Sequence, residues 1–244
     1  MAEPQTRPAY YAAGPGPLRD WWTLLHPPFT AWHLSYVVLG AMLAPQVRLD
    51  RLDATLIAFF LAVGIAAHAL DELHGRPLRT SIPGSVLVAA TVVGLAGAVG
   101  LGAAGISRVG WGLLPFMIIG PLLVVGYNAE LFGGVIHTDL GFAAAWGAFP
   151  ALTGYVAEAG RLDVAPVFMA GAAMALSAGQ RHLSTPARML RRRTAAVAGS
   201  ITLTSGEVIA VDAARLREPL ERALRSLSWG VVLLAAALAT ARLA

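Results

Sequence analysis

The chain contains no cysteine and no lysine. Without cysteine there are no disulfides, no thiolate nucleophile and no cysteine-ligated metal. Charge is also scarce. Asp, Glu, Lys and Arg together make up 13% of the 244 residues, against about 25% in a soluble domain. Long polar stretches are rare, and 57% of the residues are hydrophobic, with a mean hydropathy of +0.64. These deficits exclude a disordered chain, a disulfide scaffold and an ordinary soluble enzyme. Residues 1–25 carry Pro, Gly and Arg but no short apolar core, so no cleavable signal peptide is expected.

What is present is a series of apolar runs. A membrane-crossing helix needs roughly 20 such residues. Seven spans are expected, near 28–45, 54–72, 84–104, 110–127, 140–157, 164–181 and 227–243. The fold class is therefore all-α: a polytopic helical bundle around a central cavity. Residues 1–25 are expected to form a flexible tail and 26–244 a single transmembrane domain. Within it, 182–226 reads as a loop with a small hairpin and an amphipathic helix. Ser205–Gly206 supplies the hairpin turn. Asp212 can cap a helix whose Leu216, Leu220, Leu224 and Leu227 suit the membrane surface.

All 18 basic side chains are arginine. With seven spans, thirteen of them fall on the side of the N-terminus and five on the other. The positive-inside rule then places the N-terminus in the cytoplasm, in a bacterial plasma membrane. Read this way, the basic balance reports topology, and no nucleic-acid partner is expected.

Ionisable groups at membrane depth are costly and functional by default. The end of span two holds His68, Asp71 and Glu72 at i, i+3 and i+4, on one helical face. Two carboxylates of this kind suit Mg²⁺, which favours a few acids plus substrate phosphates and waters. Arg76 and Arg79 follow and could grip phosphate oxygens; a charged helix end at the water interface is the plainer reading. After span four, Tyr127, Asn128, Glu130, His137 and Asp139 add polar groups on the same side, with Asp139 equally suited to capping span five. The end of span six, Gln180-Arg181-His182 through Arg188, is basic without an acid. Contact with an anionic headgroup or diphosphate competes there with simple retention of positive charge. His26 and His33 read as packing residues rather than ligands.

These residues resemble the UbiA superfamily of intramembrane prenyltransferases over about residues 26–190. The end of span two is similar to the family's first aspartate-rich motif. His68 takes the place of Asn, Glu72 that of the acid one turn on, and Arg76-Pro77-Leu78 that of an Arg-Pro-Leu stretch. Tyr127 to Tyr155, with Trp146-Gly147-Ala148-Phe149-Pro150, resembles the fourth loop and fifth span. The motif here is compressed, the second aspartate motif is replaced by Gln180, Arg181 and His182, and the family usually has nine spans. The resemblance implies Mg²⁺ held by Asp71 and Glu72, with Glu130 and Asp139 as replacement ligands. It also implies a prenyl diphosphate contacted by Arg76, Arg79, Tyr127, Asn128 and Arg181, catalysis by Asp71, Glu72 and His68, and transfer of the prenyl group to an acceptor. Cyclisation of the prenyl chain, a non-catalytic lipid-binding protein and a small transporter are the alternatives.

Overall fold

The computed structural model describes residues 7–244, so the first six residues of the tail lie outside the description. Eight helices carry the fold: α1 (Pro17–Leu24), α2 (Pro27–Met42), α3 (Leu49–Leu73), α4 (Gly84–Val109), α5 (Trp111–Asn128), α6 (Asp139–Ala159), α7 (Val164–Arg192) and α8 (Ala213–Leu243). Five of them, α3 to α6 and α8, are long and apolar enough to cross a membrane. The other two expected spans coincide with α2 and α7. α2 has only 16 residues, and α7 runs 29 residues into an arginine-rich end. The chain is an all-helical integral membrane protein.

The helices meet where side chains are small. A Cβ on Gly40 would stand 1.9 Å from the Ala151 carbonyl oxygen, and one on Gly154 would stand 2.1 Å from that of Val37. Only glycine lets α2 and α6 approach this closely, the mode by which membrane helices associate without a strong hydrophobic drive. Trp32 and Tyr36 of α2 are fully buried between Ala151, Ala173 and Val231. The Trp32 indole N–H donates to the Tyr36 hydroxyl at 2.5 Å, which also accepts from Ser177 at 3.3 Å. The polar ends of these aromatics are therefore satisfied inside the bundle.

Two helices contain π-helical stretches, Phe60–Ala67 in α3 and Ala144–Ala148 in α6. Such wide turns rotate the residues that follow and recur at functional sites. Here they set the directions of His68, Asp71 and Trp146.

Two sequence expectations are corrected. The amphipathic stretch after Asp212 is not a separate surface helix. It continues without a break into the last apolar run as α8, and Leu224 is buried. Its polar face is drawn onto α7, because Arg191 binds Glu221 through both nitrogens at 2.5–2.8 Å. The tail is also packed over residues 7–16. Arg192 donates to the Pro8 carbonyl at 2.9 Å, Arg191 to that of Arg7 at 3.2 Å, and Tyr11 is hydrogen-bonded to His26 at 2.6 Å. The hairpin pairs β1 (Gly199–Thr202) with β2 (Val208–Val211) in antiparallel register, Gly199 opposite Val211, around a turn with Gly206 at φ 87°. Asp212 caps α8 by accepting from the Arg215 N–H at 2.7 Å.

Candidate functional site

A polar hollow of about 550 Å³ opens between the ends of α3, α5 and α7 and the folded tail. One wall is α3, with Ala67, His68 and Asp71; another is α7, with Gln180, Arg181, Arg188 and Arg192. Pro8 to Tyr11 of the tail and His26 close a third side. An apolar chamber of about 400 Å³ adjoins it, lined by Ala58, Phe59, Leu101, Met117, Val124 and Phe149 among others. Val63 and Trp146 belong to the walls of both.

The histidines have defined roles. The His68 ring lies 3.1 Å from the Gly64 carbonyl through Nδ1. A carbonyl can only accept, so Nδ1 carries the proton and a neutral His68 keeps a lone pair on Nε2. His26 stacks on this ring at 4.2 Å and 15°. Burial, reinforced by His68 and the nearby Arg192 and Arg188, holds the His26 pKa well below the usual imidazole range. Among the described residues, neither nitrogen of buried His33 nor the side-chain oxygen of buried Gln180 has a hydrogen-bond partner. Both side chains line the hollow.

Charge in the hollow is unevenly spent. Arg191 is consumed by Glu221. Arg181 is paired with exposed Asp139 and donates to the Tyr127 hydroxyl at 2.7 Å. Arg188 and Arg192 have no carboxylate within ion-pair distance among the described residues. Arg192 donates to the Pro8 carbonyl, and Arg188 has only a long contact of 3.4 Å to Thr185. Partial loss of solvation in the hollow lowers the pKa of Arg188, although the residue keeps an exposed face, with repulsion from Arg181 adding to it; the same loss lowers that of half-buried Arg192. Asp71 lines the same space, and among the described residues its carboxylate makes no hydrogen bond or ion pair.

Several sequence-predicted site residues lie elsewhere. Glu72 is fully buried and faces away from the hollow. Its Oε2 accepts the Leu78 N–H, and its Oε1 accepts the Thr80 N–H and hydroxyl, each at 2.9 Å. The carboxylate pins the loop after α3, which gives Glu72 a structural role in this arrangement. Asp20 does the same from α1, accepting the Ser81 N–H at 2.8 Å and the Ser81 hydroxyl. Arg76 and Arg79 do not line the hollow. Both sit in that loop at φ 53° and 55°, outside the hollow, and Arg76 donates to the Ile82 carbonyl at 2.6 Å. Leu78 between them is buried against Leu24, Ala69 and Leu87, which explains the Arg-Pro-Leu stretch as a core anchor.

Asp139 does not line the hollow and is neutralised by Arg181. Glu130 stands at the rim, largely exposed, 3.9 Å from His137 Nδ1. Asn128 lines the hollow but gives its side-chain N–H to the Val124 carbonyl at 2.8 Å. Of the four acids expected to hold Mg²⁺, one therefore faces the interior with a free carboxylate. No group of three or more His, Asp or Glu able to hold a metal exists among the described residues. The residues present do not fit a resident divalent ion.

Sequence reasoning missed Arg192 and Tyr11; it weighed Gln180 through Arg188 for anion contact without joining them to Asp71, and it read His33 as packing. A signal existed for the arginines: Arg181, Arg188 and Arg192 stand at i, i+7 and i+11, which is one helical face.

Fold and hollow together define an all-α membrane protein with a basic headgroup-sized pocket beside an apolar chamber. Among solved structures, the chain is similar to that of a UbiA homolog from Archaeoglobus fulgidus bound to Cd²⁺. The TM-score is 0.53, and the match covers 91% of this chain and 78% of that one at 18% identity. No protein-family model and no curated protein matches the chain. The chain has the UbiA fold.

Proposed function

We propose that this protein binds an isoprenoid diphosphate and transfers its prenyl group to an acceptor, in the membrane and from its cytoplasmic side. The observation that carries the reading is Arg188 and Arg192 facing Asp71 in a polar hollow that shares Val63 and Trp146 with an apolar chamber. A diphosphate matches the guanidinium donors, and a prenyl tail matches the chamber. The allylic carbon–oxygen bond breaks and its electron pair leaves with the diphosphate, whose growing charge the arginines stabilise. A nucleophilic atom of the acceptor then bonds to the allylic carbon and gives its proton to Asp71. Aromatic and aliphatic walls keep water from the cation meanwhile. His68 offers its Nε2 lone pair one helical turn from Asp71 and positions the acceptor.

The expected Mg²⁺ enters this reading only through its test. Membranes containing the protein are given farnesyl diphosphate with and without Mg²⁺, and released diphosphate and prenylated product are measured. Release is expected, and Asp71→Asn should reduce it roughly 10²-fold. A second reading has its own support in the dispersed acids: a non-catalytic isoprenoid diphosphate carrier. Saturable binding without release favours the carrier. Neither binding nor release rejects both.

A further inference from the structure

Glu72 and Asp139, two of the acids expected to hold a metal, are engaged elsewhere, while exposed Arg188 and half-buried Arg192 are left without a carboxylate among the described residues. We propose that the hollow takes the diphosphate group directly on Arg188 and Arg192, with no bridging divalent ion. This rests on the isoprenoid diphosphate reading above and names how the headgroup is held.

The argument begins with charge. Five arginines line the hollow, Arg181, Arg188, Arg191, Arg192 and Arg193, against Asp71, Glu130 and Glu221. Arg191–Glu221 and Arg181–Asp139 cancel as close pairs. The lining then presents exposed Arg188 and half-buried Arg192 with one unpaired inward carboxylate, Asp71. A divalent cation would enter a space already rich in positive charge and find one free acid. A diphosphate enters the same space with the favourable sign and finds two planar forks able to bind oxygens in pairs.

The ligand geometry agrees. Glu72 turns its three accepted hydrogen bonds toward the loop at 78–80. Moving it to a metal would strip two buried backbone N–H groups of their acceptor. The Arg192 guanidinium, by contrast, gives its Nε–H to the Pro8 carbonyl and has no acceptor for its terminal nitrogens among the described residues. The unpartnered side-chain oxygen of Gln180 and the unpartnered nitrogens of His33 line the same hollow. They are free to bond to protonated or hydroxyl groups of whatever enters.

The test is equilibrium binding by the purified full-length protein in lipid nanodiscs. The probes are inorganic diphosphate and farnesyl thiodiphosphate, whose ionisation is slow. Each is titrated in excess EDTA and again in excess Mg²⁺. The expected result is comparable affinity in both buffers. Arg188→Ala and Arg192→Gln, each folded by thermal denaturation, should weaken binding roughly 10- to 100-fold in EDTA. Arg222→Gln, an exposed residue of α8 outside the hollow and paired with Glu218, should leave it unchanged. Arg188→Lys keeps the charge but loses the paired geometry, and it should fall between the wild type and the alanine variant. Binding that appears only with Mg²⁺ overturns the inference and leaves the isoprenoid diphosphate reading standing. Binding in EDTA that both arginine variants retain overturns it as well. No binding in either buffer removes the isoprenoid diphosphate reading and this inference with it.

Discussion

Replacing Glu72 should damage the fold before it damages any chemistry. The carboxylate accepts three hydrogen bonds at 2.9 Å in a fully buried position. In Glu72→Ala the Thr80 hydroxyl can turn to another acceptor, but the buried N–H groups of Leu78 and Thr80 cannot. Each orphaned buried donor costs about 1–3 kcal/mol. The pair and the vacated volume together come to about 3–5 kcal/mol, a large share of a stability of about 5–15 kcal/mol. Glu72→Gln keeps an acceptor oxygen for one side and turns an N–H against the other donors, so about 1–3 kcal/mol is expected. The loss is local at first, because these bonds close the loop that seats Leu78 in the core. Limited trypsin digestion reads this directly. Arg79 is exposed in the loop and is not followed by proline. Since about 1.4 kcal/mol is a factor of ten, cleavage after Arg79 should rise about tenfold in Glu72→Gln and 10²-fold or more in Glu72→Ala. The thermal midpoint should fall in the same order. Unchanged cleavage and midpoint in Glu72→Gln, together with loss of a Mg²⁺-dependent release of diphosphate, would refute this reasoning and restore Glu72 as a metal ligand.

Three further outcomes follow from packing and protonation. The His26 pKa is depressed in the folded protein, so the ring stays neutral there and gains a proton when it is solvated. Stability from its burial is therefore complete above about pH 6.5 and lost below it, by at most about 1.4 kcal/mol per pH unit. Hydrogen-exchange protection at residues 9–12, corrected for the intrinsic pH dependence of exchange, should fall between pH 7 and 5, and His26→Gln should flatten that response. Tyr11→Phe removes the bond to His26 and should loosen the same segment by about 1 kcal/mol at neutral pH, read as lower hydrogen-exchange protection at residues 9–12. Gly154→Ala places a methyl 2.1 Å from the Val37 carbonyl and should lower the thermal midpoint by the equivalent of about 1–3 kcal/mol. Gly171→Ala, where nothing lies within 4 Å, is the control and should be neutral or slightly stabilising.

The apolar segments were legible because hydropathy acts through each segment alone. All seven expected spans fall on helices, and the Asp212 cap and the Ser205–Gly206 turn are local signals of the same sort. The functions of the charged residues were not legible at that range. Glu72 looks like a ligand beside Asp71 until the chain folds back and brings the N–H groups of Leu78 and Thr80 to it. Arg188 and Arg192 follow a span end, where arginine has a default topological meaning, and their periodicity matters only once α7 is seen to run unbroken to Arg192. The break expected before the last span failed for a related reason. The leucine stripe at 216–227 suggests a helix on the membrane surface, but Arg191 binds Glu221 and holds the stretch against α7 within the bundle.

The sign of the hollow also separates the functional alternatives. A cation transporter or proton relay needs carboxylates that can exchange their ion and a lining whose field attracts it. Here Glu221 is locked to Arg191 and Arg217, and Glu130 lies at the exposed rim, which leaves Asp71 as the one inward acid without an ion pair among the described residues. The guanidiniums of Arg188 and Arg192, which line the same hollow, repel small cations and draw anions. The apolar chamber adds a second requirement, since a free inorganic anion gains nothing from Phe59, Met117 and Phe149. A ligand that satisfies both carries its negative charge at one end of a long hydrocarbon. That polarity is the property of the isoprenoid diphosphate proposed above, and on that reading the arginines at the end of α7 hold its headgroup.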